Sequence, residues 1–219
     1  MERLHYHPLS PFSRKAFVAA LMRDEACEFV QVPIGTGALT RPEFLALSPF
    51  GKMPVLETNV PGVGNIVEST SIIEYWEERG PPVLLTPGRE RIARHFDRIG
   101  DLYLVSPAAA LWWEPESEAG QSAAATAQIA WRVLGAALAD GRPFLAGDRF
   151  SLADLAAAIG TDYLARLEVP PPDAMRAWCD RCFAVPAMRQ AVEDAMPYIT
   201  RLLPKARAAA AAQGTAGGP

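Results

Sequence analysis

The sequence predicts a two-domain protein in which a small α/β domain is followed by an all-helical domain. Over residues 1–80, short apolar runs typical of strands alternate with helical stretches. A segment rich in Pro and Gly follows at 80–88, and beyond it the apolar residues recur with a helical period. Hydrophobic residues make up 50% of the 219, which is enough to bury a sizeable core. We therefore place the α/β domain at 1–80 and the all-helical domain at 89–207.

The pattern of apolar and turn-forming residues changes several times within the first domain, and each change marks the start of a new strand or helix. A Ser-Pro break separates the first strand from a helix, and a Pro/Gly turn separates the last two strands. The final helix is expected to close at Gly80, because a glycine accepts the left-handed conformation of a C-cap. The expected elements are a strand at 4–6, a helix carrying Phe17 and Leu21, a strand at 29–32, a helix at about 40–47, strands at 53–56 and 65–67, and a helix opening at Glu68-Ser69.

We expect five or six helices in the second domain, since its apolar residues recur at helical spacing. A capping box is also predicted here: the Ser151 hydroxyl can bond the Asp154 N–H, and Asp154 can bond back. Phe150 can then pack on Leu155. Residues 208–219 are rich in Ala and Gly without a large apolar side chain, so we expect a disordered tail. The spaced apolar positions are Ile92, Phe96, Ile99 and Tyr103, then Leu155, Ile159, Tyr163 and Leu167.

Composition argues against several classes of protein. The formal charge is -4 with a pI near 5.5, and Lys and Arg are scattered, so no nucleic-acid partner is expected. The sequence has no run of about eighteen apolar residues and no apolar signal segment at its start, so we expect no membrane association. The three cysteines have no framework spacing, which suits the reducing cytoplasm and argues against disulfides.

The junction between the first strand and the first helix is a candidate anion site. Unpaired backbone N–H groups and the helix dipole favour negative charge there, so a thiolate would be stabilised. Ser10 also fits a simpler role, as the helix N-cap with Pro11 at the first helical position. Ser10 alone does not decide between the two roles.

Pro54 opens a short apolar strand, where it cannot donate a ladder hydrogen bond and must lie at an edge or a strand start. If the Met53-Pro54 bond is cis, the N–H and C=O of Met53 face a neighbouring cleft and can pair with an extended peptide ligand. The alternative is an edge-strand proline with no ligand.

Glu68-Ser69 marks a second helix start that could bind a ligand. The Ser69 hydroxyl and backbone N–H could hold a carboxylate, and Glu68 could hold an ammonium. The free end of an amino acid fits both groups. The alternative is an N-cap beside a solvated carboxylate.

The order and spacing of these three signals resemble the glutathione transferase family, whose first domain is thioredoxin-like and whose second is a helical bundle. The family pattern includes a catalytic Ser, Tyr or Cys after the first strand, which is Ser10 here. The stretch at 43–56 is similar to the segment that leads to the family's cis-proline, and 67–75 is similar to its γ-glutamyl site. The capping box at 150–155 also resembles that of the family.

The resemblance implies glutathione as the bound substrate, and it implies a role for each matching residue. Ser10 would donate a hydrogen bond to the glutathione sulfur and so lower a thiol pKa that starts at about 8.5. Ser13, one helical turn later, is an alternative partner of the sulfur. Phe12 stands where some classes of the family carry a Cys, which disfavours a redox role. The other roles are Lys52 at the glycine carboxylate, the Met53 backbone at the cysteinyl part, Pro54 in the turn, and Glu68 with Ser69 at the γ-glutamyl end.

An apolar electrophile is expected between Phe12 and the aromatic residues of the helical domain. Tyr103, Trp112 and Trp113 are the candidates, although a core role is the default for such side chains. Adjacent tryptophans cannot both face one side of a helix, so one of the pair can line the cleft between the domains. The resemblance also implies a homodimer, in which Asp101 could reach the glutathione amine across the interface.

The Cys and His residues give no signal of a site. Cys179 and Cys182 have CxxC spacing, but they lie in a helical run with no second Cys pair, so a redox or metal role is not expected. His5, His7 and His95 form no metal-ligand cluster. We therefore expect no metal.

The function expected first is conjugation, in which a thiolate stabilised by Ser10 attacks an apolar electrophile. A glutathione-dependent isomerase or dehalogenase, in which the thiolate adds and later leaves, is an alternative. A binding or scaffold protein that kept the fold without turnover is another, and the intact set of glutathione residues argues against it. A thiol-disulfide oxidoreductase is disfavoured because the first helix lacks a Cys at its start.

Overall fold

The computed structural model describes residues 1–214, with side chains described for 1–204. An α/β domain precedes a helical domain, which confirms the predicted fold class. The first domain contains β1 (Glu2–Tyr6), α1 (Pro11–Arg23), β2 (Cys27–Gln31), a 3-10 turn (Ala38–Thr40), α2 (Pro42–Leu47), β3 (Val55–Glu57), β4 (Ile66–Val67) and α3 (Ser69–Glu77). The second contains α4 (Glu90–Gly100), a π turn (Asp101–Val105), α5 (Ser106–Trp113), α6 (Glu118–Ala137), α7 (Leu152–Arg166), a 3-10 turn (Asp173–Met175), α8 (Arg176–Phe183) and α9 (Pro186–Gly214).

The four strands of the first domain form one sheet in the order β2-β1-β3-β4. β1 runs parallel to β2, whereas β3 is antiparallel to both β1 and β4. A parallel pair needs a crossover connection, and α1 supplies it between β1 and β2. Leu4, at the centre of β1, is fully buried and pairs with Phe29 on one side and Leu56 on the other. Both faces of the sheet are buried: Leu56 packs in the main core with α1 and α3, and its neighbour Val55 packs with Phe44 of α2 in a smaller cluster.

α3 ends at Glu77 and not at Gly80, so the predicted glycine cap is wrong. The Glu77 carboxylate accepts the three backbone N–H groups of 83–85 at 3.0 to 3.2 Å. Arg23 donates to this carboxylate and to the Trp76 carbonyl, each at 2.6 Å. The Arg23 side chain thus satisfies a backbone carbonyl at the end of α3, and the Glu77 carboxylate binds the linker to the first domain.

A buried polar cluster joins the first domain to the second. The Lys15 ammonium lies 2.5 Å from Asp97 Oδ1 and 2.7 Å from Asp101 Oδ2. It also donates to Thr70 Oγ1 at 2.7 Å, and the Thr70 hydroxyl donates to Asp97 Oδ2 at 2.8 Å. Burial raises the pKa of Asp97, an effect that the Lys15 charge opposes. One cation and two carboxylates therefore share a site that water barely reaches.

Two glycines let α7 approach α4 and the π turn closely. A Cβ at Gly100 would lie 2.6 Å from the Ala157 nitrogen. A Cβ at Gly160 would lie 2.7 Å from Leu104 Cβ. Both distances are shorter than real Cβ contacts allow, so this packing depends on the missing side chains.

The predicted capping box is present at the start of α7. The Ser151 N–H donates to Asp154 Oδ2 at 3.1 Å, and the Ser151 hydroxyl donates to the same oxygen at 3.0 Å. The other carboxylate oxygen of Asp154 accepts from the Trp178 ring N–H at 2.9 Å and from the Leu145 N–H at 2.8 Å. This one buried carboxylate therefore holds α7, α8 and the loop before α7 together.

The CxxC pair lies within α8, as the helical spacing predicts. Burial raises the pKa of Cys179 to about 11, and it raises the pKa of Cys182 well above its ordinary value. Both thiols therefore stay protonated near neutral pH, which makes them poor nucleophiles.

The C-terminal helix α9 runs from Pro186 to Gly214. The tail that we predict at 208–219 overlaps the end of this helix and otherwise lies outside the described residues. Among the helices that the structure describes, none combines the length and the apolar character needed to cross a membrane.

Candidate active site

Ser10 caps α1 and lies at the junction of the two domains. Its backbone is extended, Pro11 follows at the first helical position, and its Oγ accepts the Ser13 N–H at 3.2 Å. Because this bond uses Ser10 Oγ as an acceptor, the hydroxyl proton is still available to a second partner. The N-cap role and a role as donor to an anion are therefore compatible.

A tight turn brings Lys52 and Met53 to the side of Ser10. The Ser48 hydroxyl donates to the Lys52 carbonyl at 2.7 Å. Gly51 has a φ of 60°, and a Cβ there would lie 3.0 Å from the Leu39 carbonyl oxygen, so the turn requires glycine. The Met53-Pro54 peptide bond is cis.

Glu68 and Ser69 lie where β4 passes into α3. Glu68 has a φ of 73°, in the left-handed region that favours glycine, and such a conformation costs on the order of 1–3 kcal/mol. Within the described residues its exposed carboxylate has no ion-pair partner. Ser69 is buried and occupies the first position of α3, where backbone N–H groups have no partner inside the helix. The chain thus holds a strained acidic residue next to unpaired donors.

These residues surround a small cleft of about 110 Å³. Lys52 contributes a cation to its wall and Glu68 contributes an anion. Ser69, in the first turn of α3, lines it as well. The structure therefore brings together the five residues that the resemblance implies for glutathione binding, Lys52, Met53, Pro54, Glu68 and Ser69, whereas Ser10 and Ser13 lie outside this lining. The lining consists of Phe12, Ser48, Phe50, Lys52, Met53, Pro54, Val67, Glu68 and Ser69.

A larger cleft of about 400 Å³ opens between the two domains. It shares Phe12, Lys52 and Met53 with the small cleft, so the two clefts are adjacent. Ser10 and Lys52 are the only residues with polar side chains in its described lining. The full lining is Ser10, Pro11, Phe12, Ile34, Leu39, Gly51, Lys52 and Met53 from the first domain, with Ala109 and Trp113 from the second.

Ser13 differs from Ser10 in its surroundings. It is fully buried, and it lines neither cleft. Within the described residues its hydroxyl has no hydrogen-bond partner. The geometry therefore gives Ser10, and not Ser13, a side chain that faces the cleft.

Two of the three aromatic candidates in the helical domain lie away from the clefts. Trp112 is only 4% exposed and packs edge-on against Tyr163 in the core, with ring centroids 6.1 Å apart. Tyr103 is exposed, but it lies in the π turn and lines neither cleft. The expectation of a substrate contact is therefore corrected for both, and Trp113 is the aromatic residue of this domain in the cleft wall.

The suggestion that Asp101 could reach a glutathione amine across a dimer interface is wrong. Asp101 is only 6% exposed, and its carboxylate binds the Lys15 ammonium inside the same chain. A carboxylate held in this way has no access to a ligand on another protomer. The sequence could not reveal this, because Lys15 and Asp101 are far apart along the chain.

Sequence reasoning missed several residues of the large cleft. Ile34 lies in the loop after β2, Leu39 lies in the 3-10 turn that follows it, and Ala109 lies in α5. None of them belongs to a periodic pattern, so no local signal marks them as a surface. Gly51 was missed as well, although a glycine just before a Pro-containing strand is a local signal of a turn or a close approach.

The histidines take structural roles. His7 is buried, its Nδ1 accepts the Leu9 N–H at 3.0 Å, and burial lowers its pKa to about 4. His5 Nε2 lies 2.8 Å from a Glu57 carboxylate oxygen. In residues 1–204, no group of three or more His, Cys, Asp or Glu side chains comes close enough to hold a metal ion.

Two domain models of one family match the chain. The model described as "Glutathione S-transferase, N-terminal domain" matches residues 4–84. The model described as "Glutathione S-transferase, C-terminal domain" matches residues 108–186. The first match contains every residue of the small cleft, and the second contains Ala109 and Trp113 of the large one.

Individual proteins match in the same way. Glutathione S-transferase 2 of Saccharomyces cerevisiae is 27% identical over 206 residues, which cover 85% of this chain and 87% of the yeast protein. Glutathione S-transferase F10 of Arabidopsis thaliana is 39% identical over 83 residues, which cover 36% of this chain and 37% of the plant protein. The crystal structure of Gtt2 from Saccharomyces cerevisiae matches with a TM-score of 0.75 and 26% identity, over 86% of this chain and 99% of that structure. The chain belongs to the glutathione S-transferase family.

Proposed function

We propose that the protein is a glutathione transferase that binds glutathione in the small cleft and activates its thiol for attack on an apolar electrophile in the large cleft. The observation that carries the proposal is that the two clefts adjoin, with Phe12, Lys52 and Met53 lining both. Ser10 lines the large cleft just beyond this junction. A tripeptide in the small cleft can therefore extend its central cysteine toward a hydroxyl and an apolar space together.

The charged ends of glutathione match the charges of the small cleft. Glu68 pairs with the γ-glutamyl ammonium, while Ser69 and the first turn of α3 receive the adjacent carboxylate. Lys52 pairs with the glycine carboxylate at the other end. The backbone N–H and C=O of Met53 bond the cysteinyl residue in the manner of an added strand, beside Pro54.

Ser10 stabilises the thiolate form of the bound cysteine. Its hydroxyl donates to the sulfur while its Oγ keeps the Ser13 N–H, and the thiol proton passes to solvent. The thiolate then forms a C–S bond with the electrophilic carbon, and the leaving group departs with the electron pair of its broken bond. Ser13 is the weaker candidate for this role, because its buried hydroxyl does not line the cleft.

The large cleft favours an apolar electrophile. Phe12 forms its wall on the first domain, and Trp113 forms its wall on the second. Transfer of an apolar group out of water stabilises the complex by roughly 25 cal/mol per Å² buried. The open room beside Ser10 suits a small alkyl or aryl compound.

The same clefts could serve an isomerase or a dehalogenase, because the thiolate adds to the substrate in those reactions too. They differ in the product, since glutathione is released unchanged at the end. A protein that binds glutathione without turnover is the remaining alternative. Mass spectrometry of the product separates these outcomes, because only a transferase accumulates the thioether.

A homodimer and a cytoplasmic location belong to the same proposal. Each protomer exposes large apolar side chains outside the clefts, which supports burial against a second copy. Light scattering should then give about twice the 23.7 kDa of the chain. A monomeric mass at micromolar concentration would contradict the dimer. The exposed residues are Leu102, Ile129 and Val133 of the helical domain.

Calorimetry with glutathione, together with conjugation of a chromogenic aryl chloride, tests the proposed function. Glu68→Ala should weaken glutathione binding at least about tenfold, because it leaves the ammonium unpaired. Glu78→Ala, at the exposed C-terminal end of α3, is the matched control and should bind like wild type. Ser10→Ala should bind glutathione but conjugate at least about tenfold more slowly. A wild-type protein that does not bind glutathione would refute the assignment of the site.

A further inference from the structure

In the loop that carries Ser10, nearly every backbone N–H and C=O group takes part in a hydrogen bond. The Ser10 N–H donates to the His7 carbonyl at 2.9 Å, and the Leu9 N–H donates to His7 Nδ1 at 3.0 Å. The Ser10 carbonyl accepts the Arg14 N–H at 2.9 Å. These bonds lie within the first domain. The carbonyls of Pro8 and Leu9 accept hydrogen bonds from side chains instead.

The Leu9 carbonyl is bound by the helical domain. The Tyr163 hydroxyl, on α7, donates to it across the domain boundary. Leu9 is 1% exposed and Tyr163 is 2% exposed, so water cannot replace the bond. Trp112 packs edge-on against the Tyr163 ring and fixes its orientation. The residue just before Ser10 is thus held by a side chain more than 150 positions away.

The Pro8 carbonyl is bound by a second link to α7. Arg14 Nε donates to it at 3.2 Å, and Arg14 Nη1 donates to Asp162 Oδ2 at 3.0 Å. The guanidinium also stacks over the Tyr163 ring, 4.6 Å from the ring centroid. Arg14 is 1% exposed and the Asp162 side chain is 14% exposed, so this ion pair is largely shielded from water. The adjacent residues Asp162 and Tyr163 therefore act on adjacent carbonyls of the loop.

We propose that Tyr163, together with the Arg14–Asp162 pair, is a positioning residue for the thiol chemistry, because it fixes the loop from which the Ser10 hydroxyl reaches the sulfur. The inference rests on the proposed function, in which Ser10 donates to the thiolate. A donor misplaced by about 1 Å can cost up to about a hundredfold in rate, so the loop must be held rigidly. The helical domain then contributes to thiol activation as well as to the electrophile cleft.

The test compares Tyr163→Phe with Tyr198→Phe in the full-length protein. Each variant removes one hydroxyl from the helical domain, but the Tyr198 hydroxyl bonds the Gln31 side chain and not the loop. The pKa of bound glutathione is measured from thiolate absorbance as a function of pH, together with kcat and with KM for glutathione. Tyr163→Phe should raise the thiol pKa by about one unit and lower kcat about tenfold, with KM changed less than about twofold. Tyr198→Phe should match wild type in all three.

The outcomes separate a positioning role from a structural one. A lower melting temperature for Tyr163→Phe, with thiol pKa and kcat unchanged, would refute the proposal. Should Tyr163→Phe fail to fold, Asp162→Asn weakens the second link and is expected to raise the thiol pKa in the same direction. An unchanged pKa in Asp162→Asn would then refute it. Ser10→Ala in the same assay isolates the premise: if it leaves the thiol pKa unchanged, the proposed function fails, whatever Tyr163 does.

Discussion

The ammonium of Lys15, in the first domain, lies 2.7 Å from a carboxylate oxygen of Asp101, in the second, and both side chains are buried. Asp97 and Thr70 complete the cluster. Thr70 directly follows Ser69 of the small cleft, so the same cluster that joins the domains also holds the start of α3. Its stability therefore bears on the site as well as on the fold.

Replacement of Lys15 with methionine should be strongly destabilising. It leaves the Asp97 and Asp101 carboxylates buried without a cation, and breaking a buried pair in this way costs about 3–5 kcal/mol. Arg94→Met is the control, because its pair with Glu74 is largely exposed and is worth less than about 1 kcal/mol. Urea unfolding measures both. Equal losses in the free energy of unfolding for the two variants would show that burial does not increase the contribution of this cluster to stability.

Loss of the Glu77 carboxylate should loosen the linker. Glu77→Ala leaves the backbone N–H groups of 83–85 without their acceptor, while Arg23 keeps its pair with Glu25, so we expect a loss of about 3–5 kcal/mol in the free energy of unfolding from the unsatisfied donors. The exposed neighbour Glu78 provides the comparison, since Glu78→Ala should stay within about 0.5 kcal/mol of wild type. Denaturant titration gives both values. A Glu77→Ala protein as stable as Glu78→Ala would contradict this account of the linker.

His7 should make the protein acid-sensitive. Burial lowers its folded pKa to about 4, against about 6.5 in an unfolded chain, so the unfolded state binds the proton more tightly. The stabilisation is fully present above about pH 6.5 and is lost as the pH falls toward 4, by up to about 3 kcal/mol. His7→Asn keeps an acceptor for the Leu9 N–H and should remove this part of the pH dependence. Urea midpoints between pH 7 and 4 measure it, with the exposed His95→Asn expected to follow wild type.

The contact between α7 and the π turn should tolerate no added methyl group. Gly160→Ala places a Cβ 2.7 Å from Leu104 Cβ and 2.8 Å from the Val105 nitrogen, so we expect a loss of about 1–3 kcal/mol. Gly135→Ala is the matched helical change, and its Cβ would meet only Met175 Sδ, at an ordinary 3.7 Å. That variant should be unchanged or more stable by up to about 1 kcal/mol, because alanine favours helix. Thermal unfolding distinguishes the two, and a gain in stability for Gly160→Ala would contradict the packing argument.

Removal of the Trp113 ring should affect the electrophile and leave glutathione binding unchanged. Trp113 lines the large cleft but not the small one, so Trp113→Leu should raise KM for an apolar electrophile about tenfold or more. The glutathione dissociation constant should stay within about twofold of wild type. Tyr103→Leu removes an exposed ring away from both clefts and should leave both constants unchanged. If both variants changed KM for the electrophile equally, Trp113 would not be a residue that contacts the electrophile.

Local patterns carried most of the fold prediction. Alternation and turn residues indicated the four strands, and the capping box of Ser151 and Asp154 was predicted from its resemblance to that of the family, which its spacing supports. The end of α3 was predicted wrongly, because the cap that replaces Gly80 comes from Arg23, which is distant along the chain. Helical periodicity told us that Trp112 and Trp113 face different sides, but it could not say which side is the core. That choice depends on Tyr163, a contact between α5 and α7.

Some residues of the candidate site could likewise be predicted from local sequence patterns, and others could not. Residues with a local signature, such as Pro54 and Glu68, could be named from the sequence, because a proline at a strand start and a helix start are visible in short windows. Ile34 and Ala109 had no such signature, because they meet only when the two domains pack. The partners of Asp101 were hidden for the same reason.

The bond from Tyr163 to the Leu9 carbonyl also bears on how the chain can be cut or recombined. A first domain excised at the linker would contain all four strands and the Ser10 cap of α1. It would nevertheless expose the Leu9 carbonyl and the Arg14 guanidinium to solvent, since both are covered by α7. Exchanging the helical domain for that of a relative would change these contacts in the same step. The linker therefore separates the chain into two topological units, but it does not separate it into two interchangeable modules.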